Sequence, residues 1–236
     1  MLAEARQAPQ AVADQLAHNA DDYRDFGAVL RLQNPAAVLT VARGSSDHAA
    51  HFLAYLVMAR MGRLVTSLPM SLITLYQSQI ACKGLVSLAF SQSGQSPDLV
   101  APTRFFSEGG AVTAAFVNKA DSPLAQAAQW VFPLHAGIEA SVAATKSYIA
   151  QLVAGARVVA AWQGDPELQS ALSKLPDDLA RAAQMDWSVA LDVLQGVDRL
   201  FVIGRGTGMP VALEAALKFK ETCGIQAEAF SSAEVK

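Results

Sequence analysis

Apolar residues gather in short runs, and each run empties into a polar turn. Four runs have the length and branched content of strands, the first of them a buried one. They are Ala36-Ala37-Val38-Leu39-Thr40-Val41-Ala42, Leu64-Val65-Thr66-Ser67, Leu85-Val86-Ser87-Leu88-Ala89-Phe90 and Ala111-Val112-Thr113-Ala114-Ala115-Phe116-Val117. A shorter fifth run is Trp130-Val131-Phe132-Pro133-Leu134. Between them the apolar positions take helical spacing. Arg43-Gly44-Ser45-Ser46-Asp47 turns the first strand into a helix reaching about residue 61. Pro69 opens a helical stretch to about residue 79, Ser96-Pro97-Asp98 opens one to about residue 107, and Ser122-Pro123 a short one. Before the first strand, Val12, Leu16, Tyr23, Phe26 and Leu30 predict one or two helices over residues 10–32, broken by Asn34-Pro35. After the fifth strand, a long helix runs from Thr145-Lys146 to about residue 162. Gly164-Asp165-Pro166 ends it, and a further helix covers residues 176–195.

Strands alternating with helices at this interval predict an α/β fold, a doubly wound five-stranded parallel sheet. Its crossovers are right-handed, and ligands sit beyond the carboxyl ends of the strands. The opening motif then recurs. Leu39-Thr40-Val41-Ala42-Arg43-Gly44-Ser45-Ser46 lines up with Phe201-Val202-Ile203-Gly204-Arg205-Gly206-Thr207-Gly208, each an apolar strand, an Arg-Gly turn and an apolar helix. This predicts a helical segment at 1–35, a first domain at 36–165, a helical linker at 166–197 and the start of a second copy at 198–236. One strand and one helix cannot bury a sheet. The expectation is therefore a fragment of a longer protein, or a last part that docks on another subunit, with the fragment favoured.

Composition changes the picture only by exclusion. The 236 residues are 52% hydrophobic and 17% charged, which suits a sizeable core. A net charge of −3 argues against nucleic-acid binding and against a basic membrane-surface protein. No uninterrupted apolar stretch reaches the length of a membrane span, and Met1-Leu2-Ala3-Glu4 does not open a signal peptide. Cys82 and Cys223 have no metal-ligand spacing, so a reduced, cytoplasmic setting is the default.

The turn Ser91-Gln92-Ser93-Gly94-Gln95-Ser96-Pro97-Asp98 offers three hydroxyls, an amide and free backbone N–H groups ahead of a helix. An oxyanion fits there. A helix dipole gives about 0.3–1 kcal/mol, whereas each hydrogen bond to a charged group gives about 1.5–3. Taken alone, the turn reads equally as one that satisfies its own helix end. Ser46, however, also follows a strand's carboxyl end, and two hydroxyl-rich turns converging on one place favour a phosphate site. The second chemical feature is Glu214, Lys218 and Glu221, spaced four and three apart on one helix face. The stripe reads either as a solvated face or as a carboxylate base beside an ammonium in a semi-buried cleft, and spacing leaves both open. Gly204, Gly206 and Gly208 do not make a dinucleotide fingerprint, and there is no Walker A sequence. His48 and His51 share a helix face with no ligand set, which suggests packing.

These residues resemble the sugar isomerase (SIS) domain family, in particular the isomerase half of glucosamine-6-phosphate synthase and its free-standing relatives. The resemblance runs along nearly the whole chain. It includes Glu4-Ala5-Arg6-Gln7-Ala8-Pro9, Arg43-Gly44-Ser45-Ser46-Asp47-His48, the serine turn, and Ala136-Gly137-Ile138-Glu139-Ala140-Ser141-Val142-Ala143-Ala144-Thr145-Lys146. It continues through Ala212-Leu213-Glu214-Ala215-Ala216-Leu217-Lys218-Phe219-Lys220-Glu221 and Ala227-Glu228-Ala229-Phe230. It implies a flavodoxin-like fold and a homodimer with sites near the subunit boundary. It also implies that Ser46, Ser91, Gln92, Ser93 and Ser96 hold the sugar phosphate. Gly44, Ser45, Ala143 and Thr145 would line the sugar pocket. Glu221 would relay a proton between C1 and C2, and Lys218 would polarise the sugar oxygens. No metal or other cofactor is needed.

Two departures matter. Glu234-Val235-Lys236 stands where the family has Glu-Leu-Lys followed by His-Gly-Pro, and the expectation is a chain cut short of that ring-opening histidine. The synthase of this family also carries an amino-terminal glutaminase domain with a cysteine nucleophile; neither Cys82 nor Cys223 matches it, and the expectation is a protein without that domain, which disfavours synthesis. The leading expectation is isomerising deamination of glucosamine 6-phosphate, or a related amino-sugar 6-phosphate, to fructose 6-phosphate and ammonia. Deglycation of phosphorylated sugar–amino acid adducts, aldose–ketose isomerisation and, from another class, a non-catalytic phosphosugar sensor are the alternatives.

Overall fold

The computed structural model describes residues 1–235; Lys236, the last residue of the Glu234-Val235-Lys236 segment, lies outside the described residues. Three helices precede the sheet: α1 (Leu2–Arg6), α2 (Ala8–Ala17) and α3 (Ala20–Gln33), one more than the pattern predicts. The break between α2 and α3 falls at Asn19, whose φ of 61° is left-handed and which asparagine tolerates better than most residues.

Five strands follow: β1 (Ala37–Val41), β2 (Leu64–Ser67), β3 (Val86–Ser91), β4 (Val112–Val117) and β5 (Trp130–Pro133). They form one sheet in the order β2-β1-β3-β4-β5, every pair parallel. This is the doubly wound arrangement expected from the sequence. The order reverses between β1 and β3, and that is where a sheet of this kind opens a crevice beyond its carboxyl ends. Side chains alternate between faces with period two. Val38, Val86, Leu88, Phe90, Ala114, Phe116 and Phe132 pack on one side. Leu39, Val41, Ala89, Ala115 and Val117 pack on the other.

The first face is covered by α3, by α4 (Ser45–Met61) and, across α4, by α8 (Lys146–Gln163). The second is covered by a short α5 (Ser71–Thr74), α6 (Pro97–Glu108) and α7 (Pro123–Ala127). The helix expected over residues 69–79 shrinks to α5. Leu72 and Ile73 reach the core, but Leu75 and Tyr76 are exposed and Gln77 has a φ of 51°, so no apolar face continues to pull a helix onward.

Small residues and one arginine tie α8 to the amino-terminal helices. A methyl group on Gly27 would lie 2.5 Å from the carbonyl oxygen of Ala161. A backbone atom cannot rotate away as a side chain can. Gly27→Ala therefore loses about 1–3 kcal/mol by overpacking, more than the roughly 1 kcal/mol that alanine gains in helix propensity. A lowered urea midpoint with an unchanged slope is the expected result. Arg157, buried on α8, donates to the carbonyls of Gln15 at 2.6 Å and His18 at 2.8 Å and lies 3.9 Å over the Tyr23 ring. It thereby places a positive charge at the carboxyl end of α2.

The rest of the chain is helical and then forms a second, small sheet. α9 (Pro166–Ser173) comes first, and α10 (Leu175–Gln184) and α11 (Val189–Leu194) then replace the single helix expected over 176–195. The break comes where Asp186 accepts a hydrogen bond from the Ser188 N–H at 2.9 Å, a local turn that competes with the helix. β6 (Arg199–Gly204) leads into α12 (Gly208–Lys218), a π-turn at Phe219–Cys223 and β7 (Gln226–Ser231). The expectation of one strand and one helix after residue 198 is corrected by β7, which pairs parallel with β6 in a sheet of two. Among the described residues, no helix is long and apolar enough to cross a membrane.

Candidate functional site

The β1 turn comes first along the chain. Gly44 carries the left-handed φ of 54° that turns β1 into α4, and Ser45 and Ser46 open the helix. The Ser46 hydroxyl accepts from the amide of Gln151 on α8 at 3.0 Å, a partner that no local pattern announces because it lies 105 residues away.

The β3 turn winds tightly on itself. Ser91 ends the strand and its Oγ accepts from the Gly94 N–H at 3.0 Å; Ser93 Oγ accepts from the Gln95 N–H at 3.4 Å. A methyl on Gly94, whose φ is 63°, would fall 2.1 Å from the Ser122 hydroxyl, so only glycine fits there. The Gln92 carbonyl accepts from the Asn118 N–H at 3.1 Å, which fixes the turn to the end of β4. Ser96 occupies the N-cap of α6, the place at which the sequence opens that helix; its side chain makes no capping bond, and its carbonyl accepts from the Leu99 and Val100 N–H groups. An ion pair between Arg43 and Asp98 joins the two turns across the place where the strand order reverses.

The loop after β5 is braced from three directions. Glu139 Oε1 accepts from both the N–H and the hydroxyl of Thr145 at 3.0 Å, and the carboxylate also binds Ser147. Glu4 on α1 accepts from the Ala140 N–H at 2.6 Å and the Ser141 N–H at 3.2 Å, and Lys146 donates to Gln7 at 2.8 Å. Ala143 is buried inside this loop. Glu139 was legible only as one residue of a longer motif; its bracing role depends on bonds to residues that follow it by six and eight places.

The third element is α12. Lys218 Nζ lies 2.6 Å from Glu221 Oε2, 3.2 Å from Glu214 Oε1 and 3.2 Å from Ser45 Oγ. The stripe is therefore no solvated face: it packs against the start of α4. Glu214 is buried, and its other oxygen is 2.8 Å from Nδ1 of His48. Burial pushes the Glu214 carboxyl up, but hydrogen bonds from His48 and Ser45 and the Lys218 charge outweigh it, and the group lies below its ordinary value. This corrects the packing role read for His48, whose partner is 166 residues away in sequence. The helix widens into the π-turn immediately after Lys218, and Glu221 sits on that turn, 40% exposed.

So Ser45, Lys218 and Glu221 come together directly. Ser46, Gly44 and the serine turn share the crevice end of the sheet, and Ala143 and Thr145 stand on the braced loop. Two separate cavities flank them. One of 420 Å³ is lined by Gly44, His48, Ala216, Lys220 and Phe230 among others; another of 880 Å³ is lined by Gln92, Ser93, Asn118, Lys119 and Glu139 among others.

The SIS domain model matches residues 31–161 of this sequence. The chain belongs to the SIS domain family. A crystal structure of a candidate phosphosugar isomerase from Silicibacter pomeroyi DSS-3 shares 44% identity with this SIS chain. The two superpose with a TM-score of 0.95 over 99% of this chain and 72% of that one. Glutamine–fructose-6-phosphate aminotransferase (isomerizing) from Symbiobacterium thermophilum is 32% identical over all of this chain and 42% of its own length. The chain thus spans about two fifths of the curated relatives it matches. The C-terminal domain of glucosamine-fructose-6-phosphate aminotransferase from Francisella tularensis shares the fold, with a TM-score of 0.77 at 23% identity over 98% of this chain and 69% of that one.

Proposed function

We propose that this SIS protein carries out aldose–ketose chemistry on a sugar phosphate, and specifically the isomerising deamination of an amino-sugar 6-phosphate such as glucosamine 6-phosphate. The observation that carries the reading is the pairing of a half-exposed carboxylate, Glu221, with a confined ammonium, Lys218, 2.6 Å apart and tied to the β1 turn through Ser45. A carboxylate that moves a proton between neighbouring carbons needs a cation nearby to favour charge on the adjacent oxygen.

In this reading the phosphate sits beyond β1 and β3 against Ser46, Ser91, Gln92, Ser93 and Ser96. Gly44, Ser45, Ala143 and Thr145 border the sugar. Glu221 takes the C2 proton of the open-chain amino aldehyde and returns it to C1 through an enolamine. The product is a C2 imine; water adds there and ammonia leaves, giving fructose 6-phosphate. Binding energy at the phosphate end holds C1 and C2 against the carboxylate. The names of the isomerising aminotransferase relatives are consistent with this class of substrate. A homodimer, and a second unit beginning near residue 198, belong to the same proposal.

The test is release of ammonia and fructose 6-phosphate from glucosamine 6-phosphate by the purified protein. Release that saturates with substrate supports the reading. Saturable sugar-phosphate binding without ammonia release removes the deaminase and leaves the deglycase, isomerase and sensor alternatives. Replacing Ser91 and Ser93 together by alanine is expected to raise KM by roughly 10- to 100-fold, the loss of one or two hydrogen bonds to a charged group, while kcat changes much less. A fall in kcat at constant KM would take the serines out of phosphate binding.

A further inference from the structure

We infer that His48 is a positioning residue: through Glu214 it fixes the ammonium of Lys218 beside Glu221. The inference rests on the roles proposed for Lys218 and Glu221.

A lysine side chain has four rotatable carbons and no geometric preference of its own, so its place is set by whatever surrounds the ammonium. Three groups do so here, Glu221, Glu214 and Ser45. Glu221 is 40% exposed, and an exposed pair holds its members loosely. Glu214 is 5% exposed, so its charge acts on the ammonium with little screening by water. Its two oxygens divide the work: Oε1 faces Lys218 at 3.2 Å and Oε2 faces His48 at 2.8 Å. Without the His48 donor, Oε2 becomes a buried acceptor with nothing to accept. The carboxylate then rotates both oxygens toward Lys218 or drifts from it, and the ammonium loses its fixed position.

The pairing also spans two elements. His48 lies on the first turns of α4, beside Ser45 and Ser46, whereas Glu214 and Lys218 are on α12. The bond therefore ties the element expected at the phosphate end to the one expected at the reacting end. From α8, Tyr148 brings a buried phenol that burial, and then the Glu214 charge, push above its ordinary value, so it stays a neutral neighbour of the carboxylate.

Two substitutions separate positioning from packing. His48→Phe keeps the ring and removes the donor; His48→Asn puts an amide N–H near the place of Nδ1. His48→Phe is expected to lower kcat by roughly 10- to 100-fold, the worth of one hydrogen bond to a charged group, with KM for glucosamine 6-phosphate little changed. His48→Asn is expected to recover most of that loss. A second readout needs no turnover: acetic anhydride labelling of Lys218, measured by peptide mass spectrometry against exposed Lys220 as internal reference. Lys218 labelling should rise severalfold in His48→Phe and stay near the wild-type level in His48→Asn. Glu214→Gln reads the same tie from its other end should His48→Phe fail to fold, and should also raise the labelling. Unchanged labelling in His48→Phe and Glu214→Gln, or equal impairment of the Phe and Asn variants, overturns the inference. If wild-type protein releases no ammonia from the sugar phosphate, the functional reading fails while the labelling still decides the positioning role.

Discussion

Glu221→Gln is expected to lower the rate of ammonia release from glucosamine 6-phosphate by about 10²–10⁴-fold, the usual worth of a positioned general base, and to leave sugar-phosphate binding intact. Glutamine keeps the shape and still reaches Lys218, so the loss isolates the proton acceptor. The surroundings make this substitution cleaner than most. Glu221 stands on the π-turn after α12, partly exposed, and its one described side-chain partner is Lys218. Its replacement leaves no buried group unsatisfied, because Lys218 retains Glu214 and Ser45. The fold should therefore be unaffected, and a wild-type thermal transition is the control. Measured by steady-state kinetics together with calorimetric binding of a non-reacting sugar phosphate, the expected pattern is lost kcat with near-normal affinity. Full turnover by Glu221→Gln would remove it as the proton relay and return the pair to a plain surface salt bridge.

The neighbouring Glu214 shows how much of such a site a sequence reveals. Its spacing from Lys218 and Glu221 was plain, and the shared face follows from helix geometry. That this face is buried was not plain, because what buries it is α4, far away in sequence. His48 looked like a packing residue for the same reason. The sheet was legible at nearly residue precision, since a strand buried on both faces writes its limits as an unbroken apolar run. The run over residues 111–117, found as β4 at Val112–Val117 with all but its first residue buried, is the clearest case; the edge strand Leu64–Ser67, largely exposed, was legible by its β-branched content and flanking turns instead. The helices beyond the sheet were harder to read. The 176–195 stretch keeps helical composition through a turn that Asp186 makes with its own backbone, and only the hydrogen bond distinguishes the two. The serine turn stands between these cases: its position followed from the strand ahead of it, while the idle side chain of Ser96 did not follow from its N-cap location.

Phe116→Ala is expected to cost about 3–5 kcal/mol, the largest single loss of stability foreseen for the first sheet. Phe116 is wholly buried in β4 and lies in register between Phe90 of β3 and Phe132 of β5. The three rings form a stack across the sheet, with centroids 4.5 Å and 5.1 Å from the central ring and planes 15° and 14° apart. Truncating the middle ring removes both contacts at once and leaves a cavity walled by rings fixed on neighbouring strands, which cannot collapse without moving the backbone. A domain holds only about 5–15 kcal/mol in total, so the variant gives up a large share of it. At about 2–4 °C per kcal/mol for a chain of this size, its melting temperature should fall by roughly 6–20 °C. The effect on the site should be small by comparison. The turn after β3 is held by its own bonds, Ser91 to Gly94 and Asn118 to the Gln92 carbonyl, rather than by the ring stack. Well below its transition the variant should keep its sugar-phosphate affinity within a few fold. Urea unfolding followed by far-ultraviolet circular dichroism measures the loss. A value below about 1 kcal/mol would mean that the flanking rings close the gap and that the stack does not hold the three strands together.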